Sequence, residues 1–244
     1  MVGRNNRLKQ DLLRKVNEFL DRLEVEEGYV ARDISKLSEF QNEMDDFFNV
    51  HGIAMLAWLV KAIDSLLADA AAQFKEDGAT YDDVKWIREL YGVKGDQVAR
   101  KRNGQITPLY ALLSMTVIRQ DIVQKIQGAM VGDTGLKELR DGVHRSLGRK
   151  FNDFYEVNAV AVLFNSYNAA TRFFAKEYGY TKFRYEGGLI ADSRDFCIER
   201  DGQEFWIEEG VSWNDLEWKG KIPGVDFFVQ LGGFNCRHWL VYIK

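Results

Sequence analysis

Two cysteines and a histidine near the end of the chain have the residue types and spacing of metal ligands. Cys236 and His238 are separated by one residue, and Cys197 lies in the same turn-rich, aromatic region. A Cys-x-His pair can supply two zinc ligands and Cys197 a third, whereas a structural zinc site normally has four nitrogen or sulfur ligands. One interpretation is therefore a zinc site formed by these three side chains, with no other cofactor expected.

Other states of the two cysteines stay open. A carboxylate from Asp192, Asp195 or Asp201 could complete the metal site, although the paired Cys-x-x-Cys spacing of many zinc sites is absent. Cys197 and Cys236 could instead form a disulfide if the protein leaves the cytosol. Buried free thiols are the commonest state of such a pair, because a thiol packs as a small apolar group.

Turn-forming residues and arginines surround these cysteines. Arg194 and Arg237 each lie close to a cysteine, where a guanidinium can bind backbone carbonyls or a carboxylate and hold a loop together. Asp201-Gly202 fits a tight hairpin turn, and Gly232-Gly233 ahead of Asn235 fits a chain reversal with positive φ. We expect structural turns here, because a phosphate-binding loop would need a following Lys-Ser or Lys-Thr.

The rest of the sequence contains no recognisable catalytic motif. Gly-x-Ser-x-Gly, His-Glu-x-x-His and the Rossmann fingerprint are absent, and no two of the many carboxylates stand out as an acid/base pair. A net charge of −4 argues against a surface built to coat nucleic acid. The basic run Arg100-Lys101-Arg102 could still contact DNA phosphates locally, although a solvated loop is the simpler interpretation.

The N-terminal segment and the most apolar window argue against secretion and membrane insertion. Met1–Gln10 is polar and lacks the apolar core of a signal peptide. The window Ile53–Ala72 contains Lys61, Asp64 and Asp69, so a buried helix is expected there rather than a membrane span. We therefore expect a protein made in a reducing cytoplasm.

Apolar residues recur at three- and four-residue steps over most of the first 179 positions, which predicts a helical body. The expected helices cover residues 8–27, 30–47, 53–74, 80–91, 109–130, 134–147 and 151–178. Thr80 with Asp83 predicts a capping box, Pro108 suits a first helical turn, and Thr134 is a candidate cap. The polar, basic stretch at 95–104 indicates an exposed loop.

After Gly179 the period changes from that of a helix to that of a strand. The candidate strands are Thr181–Glu186, Leu189–Ala191, Phe205–Ile207 and Trp239–Ile243. The sequence therefore predicts an α+β protein, with a mostly helical body at 1–179 and a small β-rich Cys/His module at 180–244, called the C-terminal module below.

The C-terminal pattern resembles a known protein family. Its elements are an Arg-x-x-Cys at Arg194 and Cys197, an Asp-Gly turn at Asp201-Gly202, and an Asn-Cys-Arg at Asn235-Cys236-Arg237. This ordered set is similar to the Mu gpF-like minor head proteins of tailed bacteriophages, also called phage head morphogenesis or minor capsid proteins. The resemblance covers about residues 165–244, and residues 1–150 carry no assignable motif.

The chain departs from the family pattern at three places. Arg200 stands where the common form has a second cysteine, Gly233-Phe234 where it has His-Pro, and His238 where a cysteine is frequent. The resemblance therefore implies a subgroup in which backbone turns replace part of the thiol chemistry.

The resemblance implies a structural protein of the phage or prophage virion head, made in the bacterial cytoplasm. Its expected partners are the portal or major capsid protein, with packaged DNA nearby and no membrane. Two hypotheses of other classes remain. One is a metal-dependent hydrolase or nuclease using the Asp192, Asp195, Cys197, Cys236 and His238 side chains. The other is a DNA-binding accessory factor using residues 94–125.

Overall fold

Helices connected by short turns and hairpins dominate the computed structural model, which describes residues 2–94, 97–99, 101–113, 116–132, 134–151, 157–233 and 236–244. The architecture is α+β with helices predominant, as the sequence predicts. The residues group into two compact units: a first unit of 1–57 and 98–159, and a second unit of 58–97 and 160–244. Gly179 is not a boundary of this grouping, because the C-terminal strands share the second unit with most of the preceding helix.

The elements alternate between long and very short pieces. The helices are α1 (Val2–Leu20), α2 (Ile34–Gln73), α3 (Tyr81–Val84), α4 (Ile87–Leu90), α5 (Pro108–Leu113), α6 (Thr116–Val131), α7 (Leu136–Phe151), α8 (Val157–Glu177), α9 (Asp195–Ile198), α10 (Ile207–Ser212) and α11 (Phe227–Gln230), with 3-10 turns at Lys75–Asp77 and Trp213–Asp215. The strands are β1 (Val25–Glu26), β2 (Tyr29–Val30), β3 (Val93–Lys94), β4 (Gln97–Val98), β5 (Lys101–Arg102), β6 (Gln105–Ile106), β7 (Lys182–Glu186), β8 (Glu204–Trp206) and β9 (Trp239–Ile243). The first six strands form two-stranded pairs, and the last three form one sheet in the order β8-β7-β9.

An apolar stripe on α1 organises the first unit. Leu12, Val16 and Phe19 have no exposed surface, and the Phe19 ring lies 4.6 Å from that of Phe40 on α2. Helix α7 packs against both α1 and α6. Because apolar residues at helical spacing share one face, burial of that face holds these helices together.

Two segments between helices form hairpins that the sequence pattern did not predict, for the same physical reason. Glu27 and Gly28 both have positive φ, 51° and 88°, and turn β1 into β2 where the sequence pattern predicted the end of one helix and the start of the next. Asn103 and Gly104 do the same at 49° and 81° and join β5 to β6, within the stretch expected to be an open loop. Positive φ at both central residues is the signature of a two-residue hairpin.

The helices at 30–47 and 53–74 were predicted as separate, but they form the single helix α2. No proline lies within it, so nothing in the backbone forces a break. The predicted helix at 109–130 is described as α5 and α6, on either side of residues 114–115. No helix in the described part of the chain is long and apolar enough to cross a membrane.

Local capping signals are confirmed at two of the three predicted positions. The Asp83 carboxylate accepts hydrogen bonds of 2.8 Å from both the N–H and the hydroxyl of Thr80, ahead of α3. Pro108 opens α5. The Thr134 hydroxyl instead donates to the Gly132 carbonyl at 2.7 Å, so it closes the preceding turn.

The three-stranded sheet carries the C-terminal module. Phe183 and Tyr185 on the central strand β7 are fully buried, as the alternation of the sequence predicts. In the antiparallel register Phe183 lies opposite Phe205 on β8 and Tyr242 on β9. The strand predicted at 189–191 is wrong: the segment is exposed, and the Ile190 N–H donates to the Ser193 hydroxyl at 2.8 Å within a turn.

Candidate metal centre

Two parts of the module bring the predicted metal ligands together. Cys197 lies in α9, and Cys236 and His238 lie in the segment that leads into β9. One ligand atom of each residue lies within 4.8 Å of the others. Cys197 and His238 are buried, at 3% and 4% exposure, and both cysteines are free thiols. The disulfide interpretation therefore does not describe this structure.

The Tyr185 hydroxyl, which the motif reasoning missed, sits against both sulfurs. Its oxygen lies 3.4 Å from Cys197 Sγ and 3.5 Å from Cys236 Sγ. The alternating pattern of β7 places Tyr185 on the buried face, and that was the available signal. Which buried partners its hydroxyl would meet could not be read from the pattern.

His238 is held on three sides. Its Nδ1 lies 3.5 Å from Cys236 Sγ, and its Nε2 lies 3.1 Å from Asp201 Oδ1. The imidazole stacks on the Tyr185 ring, with centroids 4.5 Å apart and planes at 20°. Asp201 also accepts a 3.1 Å hydrogen bond from the Gly188 N–H. Asp201, one of three carboxylates predicted as a fourth ligand, thus contacts the histidine.

The surroundings of the two thiols shift their pKa values in opposite directions. The pKa of Cys236 is lowered, first by the hydrogen bond from Cys197 and then by its contacts with His238 and Tyr185. The pKa of Cys197 is raised by the same shared hydrogen bond and by burial. Burial also raises the pKa of the Tyr185 hydroxyl, so this group stays a neutral donor. Cys236 is therefore the sulfur that ionises more readily.

The glycines of the motif let the backbone approach the cluster closely. A Cβ on Gly232 would lie 2.9 Å from Cys236 Sγ and 3.0 Å from the Tyr185 hydroxyl, and closer still to Cys197 Sγ. Gly233 has a positive φ of 88°, as predicted for this chain reversal. Gly202 has a positive φ of 76°, but the hairpin predicted at Asp201-Gly202 is wrong, because this turn joins α9 to β8 rather than two strands. The Gly202 N–H donates to the Tyr185 carbonyl at 2.7 Å, which ties the turn to β7.

The arginines behave differently from one another. The Arg194 guanidinium packs against the backbone at Gly220, where a Cβ would come within 2.6 Å of Nε. Arg237 is exposed and makes no hydrogen bond or ion pair with any described residue, so its predicted role in holding a loop is not seen. Arg200, which no prediction assigned a role, lies over the Phe196 and Trp213 rings at 4.0 and 4.6 Å and donates to the Phe196 carbonyl.

A pocket of about 290 Å³ opens beside the cluster and is lined by Cys197, Cys236 and His238 together with Asp192 and Arg194. Asp195 is exposed and lines a second pocket, which shares Asp192 and Arg194 with the first but does not include the cysteines or His238.

The remaining predicted positions lie elsewhere or outside the description. Asn235 and Arg100 are not among the described residues. Lys101 and Arg102 are exposed on β5 of the first unit.

The ligand atoms define what the cluster can do chemically. Thiolate sulfur and imidazole nitrogen are donors that zinc and other borderline or soft ions prefer to magnesium or calcium. Among known proteins, the chain matches no family model, no curated protein and no solved structure.

Proposed function

We propose that the chain is a minor head protein of a tailed bacteriophage or prophage, acting as a non-catalytic structural part in head morphogenesis. The observation that supports this most is that residues from all three elements of the resemblance meet in space. Cys197 and Asp201 lie four residues apart and Cys236 follows Asp201 after 35 residues, yet all three meet around one imidazole. A motif whose parts meet in one cluster is what a structural module with a fixed shape requires.

The way in which these residues are used also favours a structural role. Cys197 belongs to the apolar core of the module together with Phe183, Tyr185 and Phe227. Gly232 is buried and leaves no room for a side chain. Residues that serve packing and close backbone approach stabilise a fixed shape, which is what an assembly protein presents to its neighbours.

In this proposal the portal or the major capsid protein covers apolar side chains that the isolated module exposes. Ile198, Trp206 and Val211 are each about half exposed. Assembly proteins hide such groups only in the assembly. Lys101 and Arg102 are the proposed contacts to packaged DNA, and their contribution would fall with rising salt.

The proposal is tested by coexpressing the full chain with the portal and major capsid proteins encoded in the same genome. We expect the chain to sediment with one of them. Gly232→Ala, which crowds the cluster, should weaken this association, whereas Gly142→Ala in α7, where a Cβ meets nothing within 4 Å, should not. Sedimentation of the parent chain alone in both mixtures would contradict the proposal.

A metal-dependent hydrolase or nuclease is the second candidate, and the pocket beside the cluster is the observation that favours it. Asp192 and Arg194 line this pocket and could meet a phosphate or a water molecule. The test is cleavage of duplex DNA by the chain with added zinc. Cleavage that Cys236→Ser abolishes and His144→Ala preserves would favour the enzyme, and no cleavage would remove it.

A further inference from the structure

We infer that Cys197, Cys236 and His238 bind one Zn²⁺ ion, with Asp201 orienting the histidine from outside the ligand shell. This inference goes beyond the head-protein proposal and holds or fails independently of it. It rests on the distances between the donor atoms, on their chemistry and on the contact that the other ring nitrogen of His238, Nε2, makes with Asp201.

The spacing of the donor atoms fits tetrahedral zinc. With a Zn–S bond of about 2.3 Å and a Zn–N bond of about 2.0 Å, the sulfur and nitrogen of a tetrahedral site lie about 3.5 Å apart. Cys236 Sγ and His238 Nδ1 are 3.5 Å apart. Cys197 Sγ lies within 4.8 Å of Cys236 Sγ and of a ring nitrogen of His238, so a small movement of one side chain would bring all three residues to bonding distance.

The other face of the histidine is arranged as in a metal site. Nε2 lies 3.1 Å from Asp201 Oδ1, a carboxylate that also accepts from the Gly188 N–H. A proton on Nε2 donated to this carboxylate leaves the Nδ1 lone pair facing Cys236. Metal-bound histidines commonly use their second nitrogen in this way, which fixes the tautomer and the ring orientation.

The surroundings of the sulfurs suit a dithiolate–zinc site. The Tyr185 hydroxyl lies within hydrogen-bonding distance of both sulfurs and can donate to a thiolate. The absence of a side chain at Gly232 leaves the sulfurs room on the side where a Cβ would crowd them. All three ligand residues line the pocket that Asp192 and Arg194 also line, and this pocket has room for a water molecule as the fourth ligand.

The experiment is native mass spectrometry of the full chain, purified under reducing conditions and supplied with equimolar Zn²⁺, before and after a chelator. We expect one zinc per chain, lost with the chelator. Cys236→Ser and His238→Ala should lose it, whereas His144→Ala, a histidine that contacts Asn17 in the first unit, should keep it. A bare-chain mass with zinc present, or undiminished binding by Cys236→Ser, would overturn the inference.

Two measurements keep the test decisive if a ligand variant fails to fold. Replacement of zinc by Co²⁺ in the parent chain should give the visible bands of a tetrahedral ion and a near-ultraviolet sulfur-to-cobalt band. Asp201→Asn retains every ligand, and we expect it to weaken zinc binding about 10- to 100-fold while the cobalt spectrum keeps its form. A cobalt spectrum without the sulfur band would exclude the cysteines as ligands, and unchanged affinity would exclude the orienting role of Asp201.

Discussion

The first unit and the C-terminal module bury their residues in different ways. In the first unit, one stripe on α1 supplies Leu12, Val16 and Phe19 at successive helical turns. In the module, buried rings come from separate short elements, such as Phe183 on β7 and Phe196 on α9. Helices α9, α10 and α11 have only four or six residues, too few to be stable without tertiary contacts.

The difference shows which contacts stabilise each region. A long amphipathic helix has its pattern locally and needs only a partner surface, whereas the module depends on contacts between residues distant in sequence. All six tryptophans lie in the second unit. Tryptophan fluorescence therefore reports the unfolding of that unit, while far-ultraviolet circular dichroism reports the helices of both.

The largest expected effect is the loss of a core ring from either region. Phe183→Ala should lower the free energy of unfolding by about 3–5 kcal/mol, because a fully buried ring leaves a cavity that its rigid neighbours cannot fill. Phe40→Ala, at an equally buried position of the first unit, is the matched variant. Denaturant titration should show the fluorescence transition shifted in Phe183→Ala. A loss below about 1 kcal/mol would mean that the module core tolerates collapse.

Replacing a glycine by alanine should lower the stability of the C-terminal module but raise that of the first unit. Gly232→Ala should destabilise the protein by about 1–3 kcal/mol, because the new methyl group meets both cysteine sulfurs. Gly142→Ala in the open surroundings of α7 should stabilise it by about 0.5–1 kcal/mol, since alanine favours the helix. Thermal unfolding of both variants measures the contrast, and equal effects would refute it.

Two arginines that lie over aromatic rings allow the stability contribution of a buried cation–π contact to be compared with that of a surface one. Arg200 has a side chain 14% exposed and lies 4.0 Å from the Phe196 centroid, so Arg200→Ala should cost about 1–2 kcal/mol. Arg22 is 41% exposed and 5.6 Å from the Phe19 centroid, so Arg22→Ala should cost about 0.5 kcal/mol or less. The measurement is again denaturant titration. A larger loss for Arg22 would reverse the comparison.

The smallest expected effect depends on pH. Hydrogen bonds from Lys244 and then Tyr180 hold the pKa of Asp77 below its ordinary value of 3.8. A lowered carboxyl pKa contributes stability above the ordinary value, and this contribution is lost as the pH falls through the folded-state pKa. Asp77→Asn should therefore lower the thermal midpoint near neutral pH, and this difference should shrink as the pH falls below 3.8.

Asp82→Asn is the control for this pH effect. The Asp82 side chain is 84% exposed, and its ion pair with Lys85 is long, at 3.9 Å, so it should contribute little. The substitution should leave the midpoint unchanged both near neutral pH and in acid. A difference between Asp77→Asn and the parent that grows on acidification would contradict the assigned sign.

Features that depend on neighbouring residues were accessible from the sequence. The stripe on α1, the Thr80–Asp83 contact and the alternation of β7 follow from spacing alone, because helix and strand periods place side chains on predictable faces. The hairpin turns at Glu27-Gly28 and Asn103-Gly104 are also local features. The Asn-Gly pair is a hairpin signal that can be read from the sequence alone.

The sequence by itself determined that this chain is α+β, mostly helical, with its cysteines in a turn-rich C-terminal module. Only the tertiary structure decided that Cys197, Cys236 and His238 converge, that Asp201 contacts the histidine, and that the Tyr185 hydroxyl contacts both sulfurs. The reason is physical. Backbone periodicity decides which face a side chain occupies, whereas the meeting of polar atoms depends on how separate elements pack, and that depends on the whole core.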